Sequence, residues 1–92
     1  MSYGDKPIYK NTESVLGCTF DFFLDYIYYQ FKDGMTFDNY GEWEIDHIYP
    51  TSLAKNKLHV LELNHYTNLR PLWKNENRAK KEKIEEVQLK FL

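Results

Sequence analysis

An acidic residue and an imidazole stand side by side at Asp46-His47, and two amides follow at Asn68 and Asn77. Each alone has an ordinary explanation. A strand histidine is usually a hydrogen-bonding filler, an aspartate beside it caps a turn, and asparagine is common in loops and at helix starts. Their chemistry matters if the fold gathers them. A carboxylate and an amide oxygen are hard donors that suit Mg²⁺ or a similar cation, which keeps several waters and borrows further ligands from phosphate.

The elements that would position these groups can be read from the pattern. Glu42–Ile48 alternates, with Trp43, Ile45 and His47 on one face and Glu44 and Asp46 on the other, which predicts a strand that Pro50 closes. Leu69–Trp73 predicts a second short extended piece, and Pro71 bars it from a central sheet position. The long connection Thr51–Thr67 has room for a short helix around Leu58, Val60 and Leu61. From Asn75 the chain favours helix, with Asn75 as cap and Glu76 in the first turn. Its inner stripe runs Asn77, Lys80 or Lys81, Ile84, Val87, Gln88 and Phe91, polar first and apolar later. A helix of that kind begins at a site and ends in a core. Asp46 and Asn77 would then face each other across a small gap.

Upstream, residues 1–13 read as a lead-in, and Thr19 as the cap of a helix ended by Gly34. Phe20, Phe23, Leu24, Ile27 and Phe31 form its stripe and are assigned to the core. Met35–Gly41 is turn-rich. Ninety-two residues leave no room for a second core, so one domain is expected over 1–92, with the helix and turn at 14–41 and the chemistry at 42–92. Hydrophobic residues at 42% with 28% charged exclude collagenous and disordered classes, and no apolar run suits a membrane span. The single Cys18 excludes an internal disulfide and cysteine-pair zinc sites. The net charge of −2 hides an asymmetry: residues 1–50 carry three Lys/Arg against nine Asp/Glu, and residues 51–92 carry nine against five. A polyanionic partner is therefore compatible with the composition.

WEIDHIYP followed by HYTNLRPLWKNENRAKK resembles the HNH endonuclease motif in its His–Asn–Asn form. The preceding LGCTFDFFLDYIYYQFKDGMTFDNYGEWEIDHIYP resembles the lead-in of HNH proteins from phages and large DNA viruses, so the likeness covers about residues 15–83. The spacing of nine from Asn68 to Asn77 also occurs in the HNH domains of RNA-guided nucleases. The resemblance implies an α+β fold, a ββα-metal (His-Me finger) motif with an additional N-terminal helix and no structural zinc. It implies His47 as general base, Asn68 as the residue that buttresses the loop and orients the His47 ring, and Asp46 and Asn77 as ligands of one divalent cation. That cation would be Mg²⁺, with Mn²⁺ or another divalent ion as alternatives. Arg70, Lys74, Arg78, Lys80 and Lys81 become the candidates for phosphate contacts.

The implied function is metal-dependent hydrolysis of DNA, with nicking by a single site and products bearing 5′-phosphate and 3′-hydroxyl ends. The alternatives are a non-catalytic nucleic-acid-binding module with the same fold, and a toxin or interaction domain. The expected partner is DNA, with no membrane; a homodimer or another subunit is left open. The expected location is the cytoplasm, a phage- or virus-infected host included. Two departures stand out: relatives often carry zinc-binding Cys-x-x-Cys pairs, absent here, and Glu44 stands where close relatives often have histidine. Glu44 is read as solvated, His59 and His65 as loop-packing groups, Cys18 as a small buried hydrophobe, and Tyr26, Tyr28 and Tyr29 as packing.

Overall fold

The computed structural model describes residues 11–90, with side chains through 85. The helices are α1 (Thr12–Leu16), α2 (Phe20–Tyr28), α3 (Lys57–Glu62) and α4 (Lys74–Lys90); the strands are β1 (Trp43–His47) and β2 (Leu69–Trp73). Single 3₁₀ turns occupy Phe37–Asn39, Thr51–Leu53 and Tyr66–Asn68. The class is α+β, and β1, β2 and α4 form a ββα arrangement.

The two strands pair antiparallel, with Trp43 opposite Trp73, Ile45 opposite Pro71, Asp46 opposite Arg70 and His47 opposite Leu69. Both strands are edges, so Pro71 is accommodated as its missing N–H requires. Trp73 runs directly into α4, whose first residue, Lys74, donates its N–H to the Glu42 carbonyl at 3.0 Å. The helix therefore starts one residue before the expected cap. Asn75 Oδ1 instead accepts from the Glu76 N–H at 2.9 Å.

The core is built on Trp43, Ile27 and Met35, with Phe23, Phe31, Ile45 and Trp73 packed around them. Trp43 is only 2% exposed and its indole N–H donates to the Thr36 carbonyl at 2.7 Å, so the buried ring leaves no polar atom unpaired. Phe31 and Tyr40 meet it edge-on, with centroids at 5.1 and 4.9 Å.

Three expectations change. A short helix, α1, starts in the last two residues of the lead-in and runs past it to Leu16, held by reciprocal bonds between Asn11 and Ser14 and ended by Gly17 at φ 77°. A second change concerns α2, which stops at Tyr28, before Lys32. Third, its stripe is core only in part: Ile27 is buried and Phe23 and Phe31 are half-buried, but Phe20 and Leu24 are about half exposed. A two-stranded sheet is too narrow to cover the whole helix face. On the far side, Phe22 and Tyr26 pack against Tyr66, each with centroids 5.1 Å away, while Tyr28 and Tyr29 are exposed. Residues 1–10 of the lead-in, and Val87, Gln88 and Phe91 of the α4 stripe, lie outside the described residues or side chains. Among the described residues no helix is long and apolar enough to cross a membrane.

Candidate active site

Alternation along β1 turns Asp46 away from Trp43 and toward Lys80 of α4, and Asn77 from the start of the helix lines the same cleft. Both residues are buried, 5% and 4% exposed, and both line one open cleft of about 470 Å³. His47, Glu44, Lys80 and Lys81 line it too. The strand end and helix start thus bring Asp46, His47 and Asn77 to one place.

The Asp46 carboxylate is held by two cations. Arg70, its cross-strand partner, donates from Nε to Oδ2 at 2.8 Å. Lys80 donates from Nζ to Oδ1 at 3.0 Å and Oδ2 at 2.9 Å, and also to the His47 carbonyl. Asn77 is treated differently. Its Oδ1 is buried and, among the described residues, accepts no hydrogen bond. An orphaned buried acceptor costs about 1–3 kcal/mol, so in a native site it marks a place where a donor, water or ion belongs. Two hard oxygen donors, one charged and one orphaned, on the same cleft fit a divalent cation. Among the described residues no three His, Cys, Asp or Glu side chains gather round one point. Such a cation would therefore draw its other ligands from water or from a substrate phosphate.

His47 is oriented by a residue that carried no signal in the sequence. Its Nε2 lies 2.7 Å from Asn64 Oδ1, and Asn64 Nδ2 donates to the Val60 carbonyl at 3.2 Å. The second bond fixes which way the Asn64 amide points, so the atom facing the ring is an oxygen, and Nε2 must carry the proton. In the neutral ring Nδ1 then keeps its lone pair. Asn68, expected to orient the ring, acts on the backbone instead: its Oδ1 accepts from the Tyr49 N–H at 2.8 Å, and its Nδ2 donates to the carbonyls of Leu63 at 2.8 Å and Tyr49 at 3.1 Å. It ties the loop to the end of β1, the buttressing half of its expected role. Asn64 follows a loop helix and belongs to no spacing pattern, so only the three-dimensional contact reveals it.

The basic residues separate into groups. Arg70 and Lys80 are turned onto Asp46, and Lys81 is exposed on the rim of the cleft. Lys74 and Arg78 are exposed on another flank of α4, beside Glu42 and Glu82. Glu44, read as solvated, is half-buried in the cleft wall. His59 Nδ1 accepts from the Lys55 N–H at 2.9 Å, and His65 Nδ1 meets Thr67 Oγ1 at 2.8 Å, so both organise loops. Cys18 is half-buried, and burial, with the Glu13 carboxylate as the smaller cause, pushes its thiol above the ordinary range.

No family profile matches the chain, and no solved structure matches it. Over 75 residues it is 39% identical to "Uncharacterized protein L246" of Acanthamoeba polyphaga mimivirus, a stretch covering 74% of this chain and 31% of that protein. The chain thus matches less than a third of this viral relative's length.

Proposed function

We propose that this chain is an HNH-type endonuclease of the ββα-metal class, which uses one divalent cation to hydrolyse DNA phosphodiester bonds and nicks one strand per active site. The observation that carries the reading is the orphaned, buried oxygen of Asn77, a residue that lines one cleft with Asp46 and His47. A ββα arrangement with an Asp-His pair at its strand end, and a viral relative, support it.

His47 Nδ1 is the proton acceptor for the attacking water. Asn64 holds the opposite nitrogen, Nε2–H, and keeps accepting its hydrogen bond once the ring becomes imidazolium. Asp46 and Asn77 would hold the cation, Mg²⁺ by the hardness of its donors, with Mn²⁺ the next choice. When bound, that ion supplies positive charge beside the phosphate and its leaving 3′ oxygen. Lys81 on the rim and Lys74 and Arg78 on the flank are the phosphate contacts, which fix the strand without reading its bases. Asn68 keeps the loop that carries Asn64 joined to β1.

A nicking assay on supercoiled DNA with Mg²⁺ and with EDTA tests this. Cleavage is expected only with Mg²⁺, and His47→Ala should lower it about 10²–10⁴-fold, the usual contribution of a positioned base. Melting temperature and DNA affinity should change little. Equal cutting by the variant refutes the assignment. The second reading, a nucleic-acid-binding module without turnover, draws on the two cations already neutralising Asp46. It is favoured if the chain binds DNA with steep salt dependence and never cleaves it.

A further inference from the structure

The Lys80 ammonium is seated on the Asp46 carboxylate. It lies 3.0 Å from Asp46 Oδ1, 2.9 Å from Oδ2 and 3.3 Å from the Ile48 carbonyl, and donates to the His47 carbonyl. Three N–H protons thus face four oxygens. An exposed lysine–carboxylate pair is weakly held and wanders. This one is enclosed: the Lys80 side chain is 22% exposed, its Asp46 partner 6%, and two of the acceptors are backbone carbonyls. One helical turn earlier, Asn77 Oδ1 has no donor at all. The ammonium has no proton left for it, whereas a hard divalent ion accommodates about six oxygens. Asn77, on the same cleft, carries a fifth acceptor that the ammonium does not serve.

We propose, resting on the metal-dependent reading above, that Lys80 is a resident surrogate cation: it fills the Asp46 seat in the metal-free protein and is displaced when a divalent ion binds. Without the ion, Lys80 and Arg70 together neutralise a carboxylate whose unpaired burial would destabilise the strand end. Once displaced, its flexible four-carbon stem lets the head group swing toward the rim, beside Lys81, to meet a phosphate. One side chain then serves both states. The device also lowers apparent metal affinity by the fraction of molecules with the seat vacated. A seat filled in 90–99% of molecules weakens binding about 10- to 100-fold.

The test is Mn²⁺ binding to the full chain, read from the electron paramagnetic resonance signal of free Mn²⁺, for wild type, Lys80→Met, Lys81→Met and Asp46→Asn. Methionine keeps much of the apolar stem, and Lys81→Met removes the same charge from the same cleft without vacating the seat. Lys80→Met is expected to bind at least about tenfold more tightly than wild type. Lys81→Met should stay within about threefold, as for other exposed charges. A second readout uses wild type alone: the Lys80 ammonium protons, observed by ¹⁵N-correlated NMR, should be protected from exchange in EDTA and lose that protection at saturating Mg²⁺. Protection that survives saturating Mg²⁺ overturns the proposal, as does equal Mn²⁺ affinity in the Lys80 and Lys81 variants. If Mn²⁺ binds wild type and Lys80→Met alike and is lost in Asp46→Asn, the surrogate falls and the metal-dependent reading stands. If no variant binds Mn²⁺, both fall.

Discussion

Asn77 separates a residue kept for a ligand from one kept for the fold, because the two roles predict opposite signs for Asn77→Ala without metal. Its Oδ1 is the buried side-chain atom left without a partner among the described residues. Removing that orphan recovers about 1–3 kcal/mol of desolvation cost. Alanine in a helix interior adds about 0.6 kcal/mol over asparagine. Against this stands the lost packing of three heavy atoms in a side chain that is buried, on the order of 1 kcal/mol. The net is a stabilisation of about 1–2 kcal/mol, which for a chain of this size raises the melting temperature by roughly 4–16 °C. Calorimetry in EDTA measures it. With saturating Mn²⁺ the order should reverse or narrow, because wild type gains binding free energy that the variant cannot collect. A melting temperature that falls in EDTA refutes the reasoning: Asn77 would then be an ordinary satisfied core amide, and its orphaned oxygen no sign of a missing ion.

Three further outcomes follow from particular contacts. Asn64→Ala removes the side-chain acceptor seen on His47 Nε2 among the described residues, so cleavage should drop about 10-fold or more at unchanged DNA affinity, as for groups that orient a catalytic residue. Gly17→Ala should cost about 2 kcal/mol in denaturant unfolding, since φ is +77° and a Cβ there would sit 2.5 Å from the His65 ring. Cys18 reacts as its thiolate, and a raised thiol leaves less thiolate at any given pH; iodoacetamide labelling should therefore lag a free cysteine at pH 8, and Glu13→Gln should quicken it by removing the smaller of the two causes.

What could be read from the chain divides by the range of the forces involved. Period-two alternation and the two prolines are local signals, and β1 and β2 lie where they indicate, with Leu69–Trp73 matching residue for residue. Helix capping is local as well: Asn11, Ser14 and Gly17 spell out α1, although a five-residue helix has too short a stripe to register as periodicity. The burial of α2 is not local. Its stripe reads as uniformly apolar, but which residues are covered depends on the width of the sheet, and two strands shelter Ile27 while leaving Leu24 out. The site divides the same way. That Asp46 and Asn77 line one cleft follows from a strand that alternates and a helix that starts directly after its partner strand. That Asn64 holds His47, or that Lys80 reaches back across 34 residues to Asp46, depends on loop path and rotamer and leaves no trace in spacing. The change along the first half of α4 shows why the two scales must cooperate. The helix is anchored by Trp73 and the sheet, so its first turns need no apolar face of their own. They are free to carry Asn77, Lys80 and Lys81, and a cleft stays open beside a tryptophan core.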